Sequence, residues 1–180
     1  MPYNVSSDSG PTADARLDNV QLLAVRQVFR AIDNGDTVAG LVTLESSPDL
    51  RVLPAVNSYL GYCLARERGQ VREGLQLCQA ALDAEPRNPT HYLNLGRVLL
   101  EAGEKSSAIA TFWRGISRTP GAERGIVAEA SASGYAREHA LILQELRRLG
   151  IRKPPPFPSL PRSHPLNKFV GKLLARLGLR

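Results

Sequence analysis

A recurrence of residue types at an interval of 34 residues constrains this chain more than any other feature of its sequence. The segment Pro89–Ala122 carries the pattern of two amphipathic helices, which are separated by Gly103 and ended by Pro120. The first helix face is formed by Tyr92, Leu95, Gly96 and Leu99, and the second by Ala108, Phe112 and Gly115. Bulky and small residues therefore alternate on faces that two helices can bring together.

Related residues occupy the corresponding positions upstream. Five positions of the second helix and its borders have counterparts 34 residues earlier at Gly69, Gly74, Cys78, Ala81 and Pro86. The first helix has counterparts 35 residues earlier at Leu60, Gly61 and Leu64, and a more degenerate copy continues through Val25, Phe29, Gly35, Gly40 and Leu44. One unit cannot bury its apolar face alone, so the pattern predicts that the copies stack on one another.

This combination of period, Leu-Gly pair, small residues, aromatic and closing proline resembles the tetratricopeptide repeat. The resemblance is closest over Pro89–Ala122, next over Pro54–Asn88 and least over Val20–Leu53. It implies an all-α fold, a short right-handed α-solenoid of antiparallel helix pairs. It also implies a binding surface for protein partners, without saying which partner binds. The tail, Gly150–Arg180, further resembles the tails of small bacterial tetratricopeptide proteins, which end in a proline strap followed by a Leu-Asn-Lys segment, here Leu166–Lys168 in a basic C-terminal helix.

The repeat pattern divides the chain into seven segments. They are a flexible N-terminus (1–15), a degenerate first repeat (16–53), two clear repeats (54–88 and 89–122), a degenerate fourth repeat or cap (123–149), a proline-rich strap (150–165) and a basic amphipathic helix (166–180). Glycines and prolines set the expected helix bounds. The expected helices are Ala15–Ile32, Thr37–Ser46, Pro54–Arg68, Val71–Ala84, Pro89–Ala102, Lys105–Ser117, Ala122–Ala132, Tyr135–Leu149 and Leu166–Arg180.

Residues that carry catalysis or bind metals do not cluster in this sequence. The three histidines fall in different predicted elements, and no motif for a nucleophile, a phosphate loop or a metal site occurs. We therefore expect no enzyme activity, no catalytic or metal-binding residues and no cofactor. Cys63 and Cys78 are expected to be buried as small hydrophobes in a reducing compartment.

Neither a targeting segment nor a membrane span is predicted. The first 15 residues lack both basic residues and an apolar run, and no window approaches the roughly 18 apolar residues that a membrane span needs. These features predict a cytoplasmic protein.

Charge is distributed unevenly along the chain. Residues 1–145 carry 14 Lys/Arg and 17 Asp/Glu, whereas residues 146–180 carry nine Lys/Arg and no acid. In the last segment an apolar stripe runs beside basic residues at every fourth position: Lys168, Lys172, Arg176 and Arg180. This helix could cap the solenoid, bind an anionic membrane surface, a partner protein or nucleic acid, or dock on a second copy to form a homodimer.

The family resemblance also indicates candidate partner-binding residues. First helices of such repeats line a concave groove, which here implies exposed side chains at Ser58, Tyr62, Arg66, Thr90, Asn94, Arg97 and Glu101. Asn94 and Arg97 match two members of the family's carboxylate clamp, whereas Leu93 and Tyr62 depart from it.

Two hypotheses of different classes follow. In the first, the protein is an adaptor whose groove binds a partner peptide or helix, with Tyr62 giving apolar contact and Arg97 charged hydrogen bonds. In the second, the basic tail binds an anionic surface of lipid or RNA. The tail offers charge but few aromatic residues for base stacking, since Phe157 and Phe169 are its only ones.

Overall fold

A computed structural model of the chain describes residues 19–118, 135–150 and 163–176. Within these ranges it contains eight α-helices, one short 3-10 helix and no strand. The helices are α1 (Asn19–Asp33), α2 (Thr37–Glu45), α3 (Pro54–Arg68), α4 (Val71–Ala84), α5 (Pro89–Glu101), α6 (Lys105–Arg118), α7 (Ala136–Arg148) and α8 (Pro165–Arg176), with the 3-10 helix at Pro48–Val52. The predicted all-helical solenoid is confirmed.

Three glycines end the first helix of each pair. Gly35, Gly69 and Gly103 have φ of 107°, 66° and 78°, a left-handed conformation that favours glycine. The chain then turns so tightly that the amide N–H two residues beyond α3 donates to the carbonyl of Leu64 at 3.2 Å. The 34-residue interval between these glycines therefore sets the interval at which helix pairs repeat.

The small residues of the pattern lie where paired helices cross. A Cβ added to Gly61 would come within 2.8 Å of the Gly74 carbonyl oxygen, so the backbones of α3 and α4 are almost in contact. In the next pair the ring of Phe112 fills the space that a side chain at Gly96 would need. Alternation of small and bulky residues thus allows the two helices of a pair to pack closely.

The helices pack in a continuous stack in chain order. The helices α1, α3, α5 and α7 contact one another in that order, α2, α4 and α6 each pack against the helix before them, and α7 also contacts α6. We call the surface carried by α1, α3, α5 and α7 the inner face. The helix α5 lies at the centre of the stack, and all of its residues from Pro89 to Val98 are buried.

Predicted and observed helix bounds agree within the described residues. The helices α3 and α4 begin and end at the predicted residues, α2, α5 and α6 differ by one residue at one end, and α7 differs by one residue at each end. In α1, Val25 and Ile32 are buried, whereas Leu23 is 59% exposed. The expected helix Ala122–Ala132 and the strap up to residue 162 lie outside the described residues.

Both cysteines are buried and free, as the sequence predicts. The Cys78 thiol donates to the carbonyl oxygen of Ser58 at 3.4 Å. Burial raises the pKa of Cys63 to about 12, so this thiol stays protonated at neutral pH. The two side chains therefore act as packing residues between α3 and α4.

Candidate functional site

Most of the seven groove residues expected from the sequence are not exposed. Ser58, Tyr62, Thr90, Asn94 and Arg97 are all buried, which corrects the expectation that they line an open groove. The remaining two, Arg66 and Glu101, lie at the surface and pair with each other, with 3.1 Å between Arg66 Nη1 and Glu101 Oε1. A role in partner binding stays a prediction for all seven.

The groove is filled because side chains of α1 and α7 contact the groove positions of α5 in the middle of the inner face. Asp33, at the end of α1, accepts from Nη1 of Arg97 at 2.7 Å and from Nη2 of Arg137 at 2.8 Å. Tyr59 donates its hydroxyl to the same carboxylate at 2.8 Å, and Arg97 Nε lies 3.1 Å from Glu145 Oε1. We call these five residues the inner cluster. They join α1, α3, α5 and α7 through two arginines and two carboxylates.

Arg97 is committed to this cluster. The side chain of Arg97 is 7% exposed, and that of Asp33 is fully buried. The guanidinium carbon of Arg97 lies 5.1 Å from the centre of the Tyr62 ring. Burial alone would lower the pKa of Arg97, but the carboxylate of Asp33 raises it above its ordinary value. The guanidinium that matches a carboxylate clamp therefore binds carboxylates of the chain itself.

A second polar network fixes α5 against α3. His91 is fully buried, with Nδ1 lying 3.2 Å from Ser58 Oγ and Nε2 lying 3.0 Å from Glu85 Oε2. A row of serine, histidine and carboxylate is found in hydrolases. Here the Ser58 side chain is fully buried, and its hydroxyl also accepts a hydrogen bond from Asn94 at 3.1 Å. No substrate can reach that hydroxyl in this arrangement, so the row is a packing network.

The inner face opens into a cleft at one end. The cleft has a volume of about 590 Å³ and lies between the second half of α1 and the starts of α3, α5 and α7. We call it the arginine cleft; its lining residues are Arg26, Phe29, Arg30, Ala55, Tyr59, Asn88, Thr90, Tyr135, Arg137 and Glu138. Of the predicted groove residues, Thr90 alone is among them. A second cavity of about 400 Å³ shares Asn88 and Tyr135 with it and continues to Glu85, Pro86 and Arg87.

Charges in the arginine cleft are less fully paired than those of the inner cluster. Arg26 and Arg30 are exposed and have no carboxylate within ion-pair distance among the described residues. Arg137 is 39% exposed and connects the cleft to Asp33. Glu138 is the cleft's acidic residue; burial raises its pKa, and its Oε2 has no hydrogen-bond partner within the described parts of the chain.

Aromatic rings form the apolar part of the cleft. The rings of Phe29 and Tyr59 are stacked with centroids 4.0 Å apart, and Tyr135 lies where the two cavities join.

Sequence reasoning missed Asp33, although an acid in the last turn of a helix opposes the helix dipole and indicates a cationic partner. No comparable signal marks Arg26 or Arg30, since exposed arginines are common on helices.

The basic tail lies partly within the described residues. Lys168, Lys172 and Arg176 are exposed on α8, and Arg180 lies outside the described residues. On the same helix Leu166, Phe169 and Leu173 are 50%, 69% and 46% exposed. Across the described ranges no other helix packs against α8.

Two searches for special sites gave no candidate within the described residues. No group of three or more His, Cys, Asp or Glu side chains could hold a metal ion. Nor does any described helix combine the length and apolar character needed to cross a bilayer.

Comparison with known proteins identifies the repeats. Residues 65–124, from the end of α3 to beyond α6, match the family model of the tetratricopeptide repeat. Neither the curated proteins nor the solved structures gave a match. Repeats of this family generally mediate protein–protein interactions and are typically non-enzymatic.

Proposed function

Since this chain is a tetratricopeptide repeat protein over residues 65–124, we propose that it is a non-enzymatic adaptor that binds a segment of a partner protein on its inner face. The observation that carries this proposal is the arginine cleft. Residues from four helices that are far apart in sequence line it, and α1, α3, α5 and α7 each supply at least one. A preformed cleft on a rigid stack binds a segment at low entropic cost.

The middle of the inner face is less suited to this role. Arg97 and Asp33 already satisfy each other there, and a partner would have to replace buried charge pairs. In the cleft, by contrast, Arg26 and Arg30 can bind a partner without breaking an ion pair among the described residues. We therefore place the partner site at the end of the inner face, beside the groove residues expected from the sequence.

Site-specific photo-crosslinking tests the proposal. A photoreactive residue is placed at Tyr135, where the two cavities join, and in a matched protein at Arg72, which is exposed on α4. We expect discrete crosslinked proteins in cell lysate from position 135 and none of them from position 72. Equal crosslinking at positions 135 and 72, or no crosslinking at position 135, would contradict the adaptor function.

The exposed apolar stripe of α8 favours a second candidate function. Leu166, Phe169 and Leu173 are exposed beside Lys168 and Lys172, the arrangement of a helix that lies on an anionic bilayer. RNA is a weaker choice for the same helix, since its one aromatic residue offers little base stacking. Docking of the tail on a second copy stays a prediction.

Vesicle binding tests this second candidate. The full chain should bind vesicles that contain phosphatidylserine and release them as salt increases. Replacing Phe169 and Leu173 by Asp should abolish binding, whereas the same change at the exposed Val38 and Val42 of α2 should not. Binding that survives the α8 change would exclude this helix as the lipid site.

A further inference from the structure

We infer that the arginine cleft recognises an acidic segment of a partner protein, one in which carboxylate side chains flank an aliphatic or aromatic residue. This inference rests on the proposed adaptor function and names the class of partner. Carboxylates would bind Arg26, Arg30 and the exposed part of Arg137, and the apolar residue would contact the rings of Phe29 and Tyr135.

Charge is the first argument for an acidic partner. Among the described residues the lining of the cleft holds three arginines and one acid, and burial raises the pKa of that acid, Glu138. Guanidinium groups bind carboxylates through paired hydrogen bonds, which fixes both charge and orientation. On the same face Arg97 already donates one hydrogen bond to each of two carboxylates, those of Asp33 and Glu145. Arg26 and Arg30 present the same chemistry without a partner among the described residues.

Shape is the second argument, and it favours a peptide over a small anion. The cleft continues through Asn88 and Tyr135 into the second cavity, so the lining runs from α1 to the connection between α4 and α5. An extended chain fits such a run, whereas a small anion would contact only one part of it. Glu138 Oε2 lacks a hydrogen-bond donor among the described residues, and a peptide N–H can supply one.

Aromatic composition is the third argument. Phe29, Tyr59 and Tyr135 line the cleft beside the arginines. Rings give contact area at small entropic cost and are enriched in protein-binding surfaces. A phosphate-only ligand would leave uncovered the rings of Phe29 and Tyr135, which are partly exposed, whereas Tyr59 is already buried. The combination of rings and arginines therefore matches a segment with both acidic and apolar side chains.

The experiment begins with a selection from a random peptide library against the full chain. The tightest peptide is then measured by fluorescence polarisation against the wild type, the double variant Arg26→Glu/Arg30→Glu, and the control Arg72→Glu/Arg118→Glu. The control changes net charge equally, on two exposed arginines of α4 and α6 with no ion pair among the described residues. Denaturant unfolding of all three proteins confirms that each is folded.

We expect selected peptides to be rich in Asp and Glu. The cleft variant should weaken their binding by roughly 30-fold or more, and the control by about threefold or less, because screened charges act over short distances. Equal weakening in both variants, or selected peptides without acidic residues, would overturn the inference. The neutral variant Arg26→Gln/Arg30→Gln is a second test. We expect it to weaken peptide binding less than the Glu variant does. Unchanged binding in the Gln variant would overturn the inference.

Two further probes distinguish other anions. Oligouridine and phosphatidylserine vesicles are measured with the same three proteins. If either binds more tightly than the selected peptide and depends on Arg26 and Arg30, the cleft is a nucleic acid or lipid site and the inference is wrong. If the library yields no peptide at all, the adaptor function itself fails. Peptides that bind equally well to the cleft variant leave the adaptor function standing and remove only the acidic-segment inference.

Discussion

Arginines occupy two regions of the same face, and the two regions differ in what neutralises them. In the inner cluster, Arg97 is 7% exposed and lies between two carboxylates of the chain. In the arginine cleft, Arg26 and Arg30 are exposed and have no carboxylate partner within the described residues. Arg137 belongs to both regions, with one contact to Asp33 and part of its side chain in the cleft.

This difference shows that partners, rather than residue type, decide what an arginine does. A buried guanidinium with two carboxylates fixes the relative positions of α1, α5 and α7, and removing it leaves unpaired buried charge. An exposed guanidinium without a partner contributes little to stability and stays available to a ligand. The first region should therefore respond to substitution by loss of stability, and the second by loss of binding.

The largest expected effect is that of Arg97→Met, which keeps side-chain length and removes the charge. It leaves the buried carboxylate of Asp33 with one fewer cationic partner, and we expect a loss of about 3–5 kcal/mol in the free energy of unfolding. Urea unfolding followed by circular dichroism measures it. The matched control is Arg66→Met, whose exposed pair with Glu101 should be worth less than about 1 kcal/mol. Equal losses in both variants would remove the distinction between the two regions.

A smaller effect is expected for Tyr59→Phe. This change removes the hydroxyl that donates to Asp33 and keeps the ring stacked on Phe29. Hydrogen bonds to charged groups contribute about 1.5–3 kcal/mol, and we expect a loss in that range by the same urea measurement. Tyr62→Phe is the control, since no hydrogen bond of its hydroxyl is present among the described residues and its ring contact with Arg97 is kept. If the control loses as much stability, the Asp33 contact is not the cause.

Acid should affect the polar network of His91 and the arginine cleft in opposite directions. Burial lowers the pKa of His91, partly offset by Glu85, so folding favours the neutral imidazole. Its contribution is present above the unfolded pKa of about 6.5 and is lost as pH falls below that value. Stability should therefore decrease on acidification, and less so in His91→Gln. Affinity of the cleft for an acidic peptide should stay equal or increase, because the raised pKa of Glu138 makes the cleft more cationic.

Unfolding curves between about pH 7.5 and about pH 5.5 test the decrease in stability, and polarisation titrations over the same range test the affinity for the peptide. The comparison of wild type with His91→Gln removes the contributions of titrating groups that do not contact His91; Glu85 contacts it, and its lowered pKa depends in part on that contact. A steeper loss of stability in His91→Gln than in the wild type would contradict the assignment to His91.

The smallest expected effect on stability is that of Arg26→Ala/Arg30→Ala. Exposed side chains without partners rarely change the free energy of unfolding by more than about 0.5 kcal/mol. We expect an unfolding midpoint close to that of the wild type, together with weakened peptide binding. A loss of several kcal/mol in the free energy of unfolding, measured by the same experiment, would show that these arginines have a structural role. The arginine cleft would then not differ from the inner cluster in its response to substitution.

Local signals made the helices predictable. Pro54 and Gly69 mark the ends of α3, because proline fits the first helical turn and a left-handed glycine closes the last one. The close crossing of α3 and α4 was likewise visible in the small residues of the repeat. Such signals lie within a few residues of the features that they predict.

The exposure of the inner face was not predictable in this way. Arg97 meets Asp33 across 64 residues of sequence and Glu145 across 48. No periodicity within one repeat reports such contacts, so a helix position that resembles a groove residue was expected to be exposed. The cleft was missed for a related reason, since its lining comes from four helices and the sequence places none of them next to another.

The most direct test of the partner site is an amide chemical-shift titration of the isotope-labelled full chain with the tightest selected peptide. The shifts should concentrate on Arg26–Arg30, Asn88 and Tyr135, which line the arginine cleft. Amides around Tyr62, Arg66 and Glu101 should change little, because the middle of the inner face is closed by its own charge pairs. Shifts concentrated around those three residues, with the cleft unaffected, would contradict this account and restore the groove expected from the sequence.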